Sequence, residues 1–291
     1  MSHARVLVSF VLLAVVGLAC ATTPAAAPQS TAAPNHEALR AEAAARVAAN
    51  PADLDAWIWL GRRTAYLGRY EEAIRVYDRA LELFPAEPRL YRHRGHRHLT
   101  LRQFAAAEAD FERAAELMAG EPDSIEPDGL PNARNQPTST LHANVWYHLG
   151  LARYLQRDFA GARAAYETGL AVPGHIDMDI ALRYWLVVTL SRLGDSEARA
   201  HALAPVRADA DIIESGDYLR LLRLFRGEGD PAELLAAAGA AGSDLSFPTV
   251  GYGVGVWYLT HGQETEARQV FRQVVAKGPV AAFGVIAAAG E

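Results

Sequence analysis

Gly61, Ala73, Tyr77 and Ala80 reappear 34 positions later as Gly95, Ala107, Phe111 and Ala114. They return as Gly150, Ala162, Tyr166 and Gly169, shifted by a further 55, which is one period plus an insertion of 21. The same internal spacing survives in Gly255, Ala267 and Phe271. A fixed period of 34 residues is the length of one antiparallel helix pair. Such a pair cannot bury its apolar face alone and needs a neighbouring copy to stack against. The chain should therefore form a solenoid, and it reads as an interaction scaffold whose partner the sequence does not name.

The residue types suit this arrangement. Two helices approach closely only where side chains are small, so Gly61 on a first helix is expected to face Ala73 on the second. Tyr77, four positions after Ala73, shares its face and should fill the gap to the next pair. Trp57 and Leu60, three apart, supply the apolar stripe of the first helix. Gly68 marks the tight turn between helices, and Pro85 stops the second helix.

These residues resemble the tetratricopeptide repeat family, whose pattern here reads Trp57, Leu60-Gly61, Ala73, Tyr77, Ala80 and Pro85. The second copy has Tyr91, Arg94-Gly95, Ala107, Phe111 and Ala114, without the closing proline. The third has Trp146, Leu149-Gly150, Ala162, Tyr166 and Gly169, and the last has Val254-Gly255, Ala267, Phe271 and Pro279, with Gly251 in the aromatic's place. The resemblance implies an all-α, right-handed solenoid over residues 36–291. Clear repeats are expected at 54–87, 88–121, 143–176 and 248–281, with an insertion at 122–140. Residues 178–247 are helical in pattern but degenerate, with Gly194-Asp195 and Ala198 as a worn turn.

Composition agrees: 51% of residues are hydrophobic, enough for a continuous core. Lys277 is the only lysine, and the formal net charge of −6 argues against nucleic acid as the main partner.

The first 35 residues differ in kind. Arg5 precedes an apolar run from Val6 to Ala19, too short for a comfortable membrane span but suited to a secretory signal at 1–19. The run ends at Cys20, the only cysteine, which can make no intramolecular disulfide. Val16-Gly17-Leu18-Ala19-Cys20 resembles the lipobox of bacterial lipoproteins, although leucine stands two places before the cysteine instead of three. That resemblance implies lipid on Cys20 and a place in the cell envelope. Cleavage as an ordinary signal, which would release the protein to the periplasm or outside, is the alternative. Residues 20–35 are rich in alanine, threonine and proline and should form a tether, followed by a capping helix from about Glu37 to Ala49.

In the family, first helices line a concave surface, exposing their second, fifth, sixth, ninth, twelfth and thirteenth places. Carried over, these places are Asp55, Ile58, Trp59, Arg62, Ala65 and Tyr66 in the first repeat. In the second they are Arg89, Arg92, His93, His96, Leu99 and Thr100, and in the third Asn144, Tyr147, His148, Leu151, Tyr154 and Leu155. The implied groove is basic and aromatic within an acidic protein. It suits an extended peptide with acidic residues or a free carboxylate, because arginine offers a planar donor fork and tyrosine an apolar face with a polar tip. The bland alternative is that Arg89 and Arg92 pair with acidic neighbours.

His93, His96 and His148 invite a metal hypothesis, but Arg89, Arg92, Arg94 and Arg97 would repel a dication, and no metal is expected. The insertion opens with an acidic, proline-punctuated stretch through Glu126 and continues with Asn132, Arg134 and Asn135, a second candidate site that could fold over one end of the groove. No phosphate-binding loop, nucleophile elbow or zinc-protease motif occurs, so neither catalysis nor a cofactor is expected. The favoured reading is a lipid-anchored or secreted envelope scaffold that binds other proteins. The alternative is a small-ligand or metal-dependent protein using the groove histidines and the insertion.

Overall fold

The computed structural model of the chain describes Met1, residues 35–127 and residues 132–291. The expected signal and tether, with Cys20, lie outside the described residues apart from Met1 and Asn35, and so do residues 128–131 of the insertion. Fourteen α-helices and no β-strand occur among the described residues. They are α1 (His36–Ala49), α2 (Leu54–Tyr66), α3 (Tyr70–Leu83), α4 (Pro88–Thr100), α5 (Phe104–Met118), α6 (Leu141–Leu155) and α7 (Phe159–Leu170). There follow α8 (Ile176–Leu193), α9 (Ser196–Leu203), α10 (Gly216–Phe225), α11 (Pro231–Ala240), α12 (Ser246–Thr260), α13 (Glu264–Lys277) and α14 (Phe283–Ala288). Helices α2 to α13 form an all-α solenoid of antiparallel pairs. Each first helix packs on the next first helix: α2 on α4, α4 on α6, α6 on α8, α8 on α10 and α10 on α12. Helices α2, α4, α6, α8 and α12 also pack on the second helix that follows them, whereas α11 packs on α12 and not on α10 to a comparable extent.

Local chemistry accounts for the ends. The side chains of Asn35, Asp53, Thr140, Asp158 and Asp195 accept the backbone N–H three residues on, capping α1, α2, α6, α7 and α9. Pro88 occupies the first turn of α4, where its missing N–H costs nothing. The turn inside each clear pair needs a left-handed residue. Gly68 (φ +76°) and Gly262 (φ +70°) supply it, whereas the second and third pairs use Arg102 (φ 61°) and Arg157 (φ 67°).

The recurring glycine has a more specific role than closeness of two helices. Gly61, expected opposite Ala73, lies under the Tyr77 ring of its own pair, and an added Cβ would overlap that ring. Gly150 stands likewise beneath Tyr166 and Gly255 beneath Phe271. The period is thus a glycine socket and an aromatic plug, repeated. The plugs are buried: Tyr77, Phe111 and Tyr166 are 1% exposed or less, and Phe271 is 5% exposed.

Residues 178–247 are helical: most of the 18-residue α8 is followed by the shorter α9, α10 and α11, with a long connection before α10. One carboxylate organises that connection: Asp177, 2% exposed, accepts the backbone N–H groups of Ile213, Glu214 and Ser215 at 2.9, 2.7 and 2.7 Å. The Ser215 hydroxyl donates back to the Asp177 carbonyl.

Candidate functional site

The first helices do converge on one inner face, but the chain itself fills much of it. The insertion runs antiparallel to its own other end, pairing Ile125 with Thr140, and the Leu141 N–H donates to the Ser124 carbonyl at 2.8 Å. This pinch turns Ile125 outward, 68% exposed, and sends Glu126 inward, 7% exposed. The Glu126 carboxylate meets Arg92 Nη2 of α4 at 3.0 Å and accepts the Asn144 amide of α6 at 2.7 Å. Arg92 closes the triangle by donating to Asn144 Oδ1 at 2.9 Å. Next to this, Arg62 of α2 donates to the Pro127 carbonyl at 2.8 Å and its guanidinium lies over the Trp59 ring.

The histidines here are neutral for identifiable reasons. Arg92 Nη1 lies 2.9 Å from His93 Nδ1, and since arginine can only donate, Nδ1 is an acceptor. Nε2 then carries the proton and faces the Glu126 carboxylate at 3.7 Å. Burial, with Arg92 and Arg62 nearby, holds the His93 pKa well below the ordinary value. His148 Nδ1 lies 2.7 Å from the Asn144 carbonyl, so that nitrogen bears the proton. Burial and Arg92 push its pKa down to about 3. His96 is lowered too, first by burial and then by Arg97.

The positions carried over from an open groove are partly corrected. His93, Asn144, Tyr147, His148 and Tyr154 are buried, each 7% exposed or less, and so are Ile58, Ala65, Leu99, Thr100 and Leu151. The reason is tertiary. Later helices and α14 pack onto this face, placing Phe283 5.4 Å from the His96 ring and 5.8 Å from that of His148. Tyr147 shares its hydroxyl with Trp185 Nε1 and Tyr218, and the Tyr154 hydroxyl meets that of Tyr252. Trp59, Arg62, Tyr66, Arg89, Arg92 and His96 remain half-buried. Arg89 pairs with Asp55 and Glu87, as in the bland reading, but Arg92 draws its counter-charge from the insertion.

Within the insertion, Asn132 accepts the N–H groups of Arg134 and Gln136 and donates to the Gln136 carbonyl, making a local turn with Asn135 at φ 49°. Arg134 forks onto Asp211 at 2.7 and 2.9 Å in an exposed pair, worth little on its own. Thr138 donates to Glu214 at 2.7 Å, so this half of the insertion is fastened to the connection before α10. Glu126 is the site residue missed from sequence. Its only signal is an acid flanked by an apolar residue and a proline, which many solvated loops share. Among the described residues no group of three or more His, Cys, Asp or Glu could hold a metal ion. Nor is any helix among them long and apolar enough to cross a membrane.

The profile of the tetratricopeptide repeat family matches residues 54–96. No curated protein sequence matches the chain. Among solved structures, a tetratricopeptide repeat protein from Parabacteroides merdae is similar at 14% identity and a TM-score of 0.51, with 87% of this chain and 92% of that one covered. YrrB, described as a tetratricopeptide protein with an unusual peptide-binding site, is 15% identical with a TM-score of 0.45, covering 82% of this chain and 95% of its own. PilW, a type IV pilus biogenesis factor, is 16% identical with a TM-score of 0.46, covering 83% and 85%. With one matching repeat at 54–96 and stacked helix pairs from α2 to α13, the chain has the architecture of a tetratricopeptide-repeat solenoid.

Proposed function

We propose that the protein is a non-catalytic interaction scaffold of the bacterial cell envelope, held there by lipid on Cys20, whose inner face receives acidic segments of partner proteins. The observation that carries this reading is the Glu126 carboxylate seated between Arg92, His93 and Asn144. A loop of the chain already lies in this place as an acidic peptide would. The surroundings favour a carboxylate: Arg92 supplies a charged donor, Asn144 a neutral one, and the His93 tautomer points its N–H the same way. The half-buried Trp59, Arg62 and Tyr66 continue the surface beyond Pro127 and offer stacking area to a longer segment.

A labelled synthetic peptide spanning residues 121–140, titrated by fluorescence anisotropy, tests the reading. Binding in trans should be negligible for the wild type, whose own loop occupies the site. It should appear in Glu126→Gln, which loosens the loop, and disappear when Arg92→Met is added. A Glu126→Gln protein that is folded by circular dichroism but fails to bind the peptide would sink the acidic-segment reading.

A further inference from the structure

Glu291 fills a second carboxylate seat, built where α6 and α8 end. Arg192, in the last turn of α8, places Nη1 3.0 and 2.9 Å from the two Glu291 carboxylate oxygens. The Tyr252 hydroxyl donates to Glu291 Oε1 at 3.2 Å, which uses its only proton. The Tyr154 hydroxyl is therefore the donor to Tyr252, so two phenols in series direct their protons toward the carboxylate. Burial raises the pKa of both phenols, which keeps these donors in place at physiological pH. The Arg192 and Glu291 side chains are 14% and 12% exposed, so an empty seat would leave a buried cation without its counter-charge.

The space beside Glu291 suits more than a carboxylate. A cavity of about 50 Å³ lies there, walled by Phe104, Tyr154, Leu155, Phe159, Tyr252 and Ile286. It adds room for roughly three water-sized groups to the volume of the Glu291 side chain. Arg157 also lines it, lies over the Phe159 ring at 5.9 Å and has no ion pair among the described residues. Arg192 lies over the same ring at 5.5 Å, so Glu291 is one carboxylate for two guanidiniums.

Glu291 is lightly held. Residues 284–288 of α14 are buried, but residues 289–291 beyond it are exposed, and Glu291 buries only its side chain. Its backbone N–H makes a single bond, to the Ala288 carbonyl at 3.3 Å, and Gly290 precedes it. Rotation about Gly290 can withdraw the Glu291 side chain while α14 stays packed.

We propose that this seat binds a small carboxylate with a branched apolar body, for which Glu291 is the chain's own stand-in. The ligand's carboxylate takes the bonds of Arg192 and Tyr252, and its body lies along Phe104, Leu155 and Phe159. The site is separate from the Glu126 seat and does not depend on the peptide reading.

The probes are isovalerate, its neutral amide and acetate. The amide keeps the shape without the charge, and acetate keeps the charge without the body. Each is titrated into the purified full chain while NMR follows the indole N–H of Trp185, whose ring lies 5.3 Å from that of Tyr154 and 5.8 Å from that of Tyr252. Glu291→Ala vacates the seat and should bind isovalerate about tenfold more tightly than the amide or acetate, the worth of one charged hydrogen bond or of the buried body. The wild type should bind isovalerate about tenfold more weakly than Glu291→Ala, because its tethered carboxylate competes at roughly millimolar effective concentration. Adding Arg192→Met to Glu291→Ala should abolish the preference for acid over amide. If Glu291→Ala does not fold, Glu291→Gln keeps the size of the side chain and is read by the same criteria. The proposal is overturned if the folded variant binds no isovalerate at tens of millimolar, or if the wild type binds it equally well. It is equally overturned if the preference for acid over amide survives Arg192→Met.

Discussion

Asn144 donates its side-chain amide to the Glu126 carboxylate at 2.7 Å, tying an inner-face helix to the loop that precedes it. Arg92 bonds to both residues, so one buried triangle joins α4, α6 and the insertion. The Arg92 and Glu126 side chains are 12% and 8% exposed, which makes this pair different in kind from the many surface ion pairs of the solenoid.

Removing one member leaves the other charge buried and uncompensated. Glu126→Ala should cost about 3–5 kcal/mol in urea unfolding, and Arg92→Met a similar amount. The double variant with Glu126→Leu should cost much less than the sum of the single changes. Additive costs would mean that the two charges do not act as a pair.

Asp177 should be among the most sensitive positions away from the inner face. Asp177→Ala leaves three backbone N–H groups without their acceptor and should cost about 3 kcal/mol. Hydrogen exchange should show the amides of Ile213, Glu214 and Ser215 losing protection first. Unchanged protection there would contradict the role assigned to this carboxylate.

Stability should fall on acidification through the range where histidine charges in the unfolded chain. An unfolded histidine titrates near 6.5, whereas burial and Arg92 lower His148 to about 3. Between those values the unfolded state takes up a proton that the folded state refuses, so the contribution is intact above about 6.5 and is lost as pH falls. The slope is about 1.4 kcal/mol per pH unit for each such histidine, and His93 and His96 are lowered in the same direction. Urea midpoints measured from pH 7.5 to 5 should show it, and His148→Phe should make the profile shallower.

The glycine sockets and the left-handed turns predict opposite signs. Gly61→Ala drives a methyl group into the Tyr77 ring and should cost about 1–3 kcal/mol. Arg157→Gly relieves a left-handed arginine and should raise stability by up to about 1 kcal/mol, less whatever its guanidinium gains over the Phe159 ring. Thermal melts of the two variants give the comparison directly.

Lipid attachment predicts a simple cellular result. Cells fed radiolabelled palmitate should label the wild type and not Cys20→Ser, and the variant should move from the membrane pellet to the soluble fraction. Equal labelling of both would remove the anchor from the proposed function.

The helix pairs were legible because each is built from contacts within a single 34-residue unit. The Gly61–Tyr77 distance in sequence is short, and its recurrence as Gly150–Tyr166 shows the same contact again. Residues 178–247 were harder, since Asp177 does its work through a connection 36 to 38 positions away that has no repeating pattern.

The candidate site divides along the same line. Sequence assigned Arg92, His93, Asn144 and His148 to one inner face, and the structure brings them together. It did not reveal that Glu126 would neutralise Arg92, that Phe283 would lie against His96 and His148, or that Tyr184 would be left without a partner. Periodicity determines which face of a helix turns inward, because that depends only on 3.6 residues per turn and on neighbours in the chain. What then covers that face is decided by long-range packing of the insertion and the last helices, whose favourable contacts form only after the solenoid has brought distant segments together.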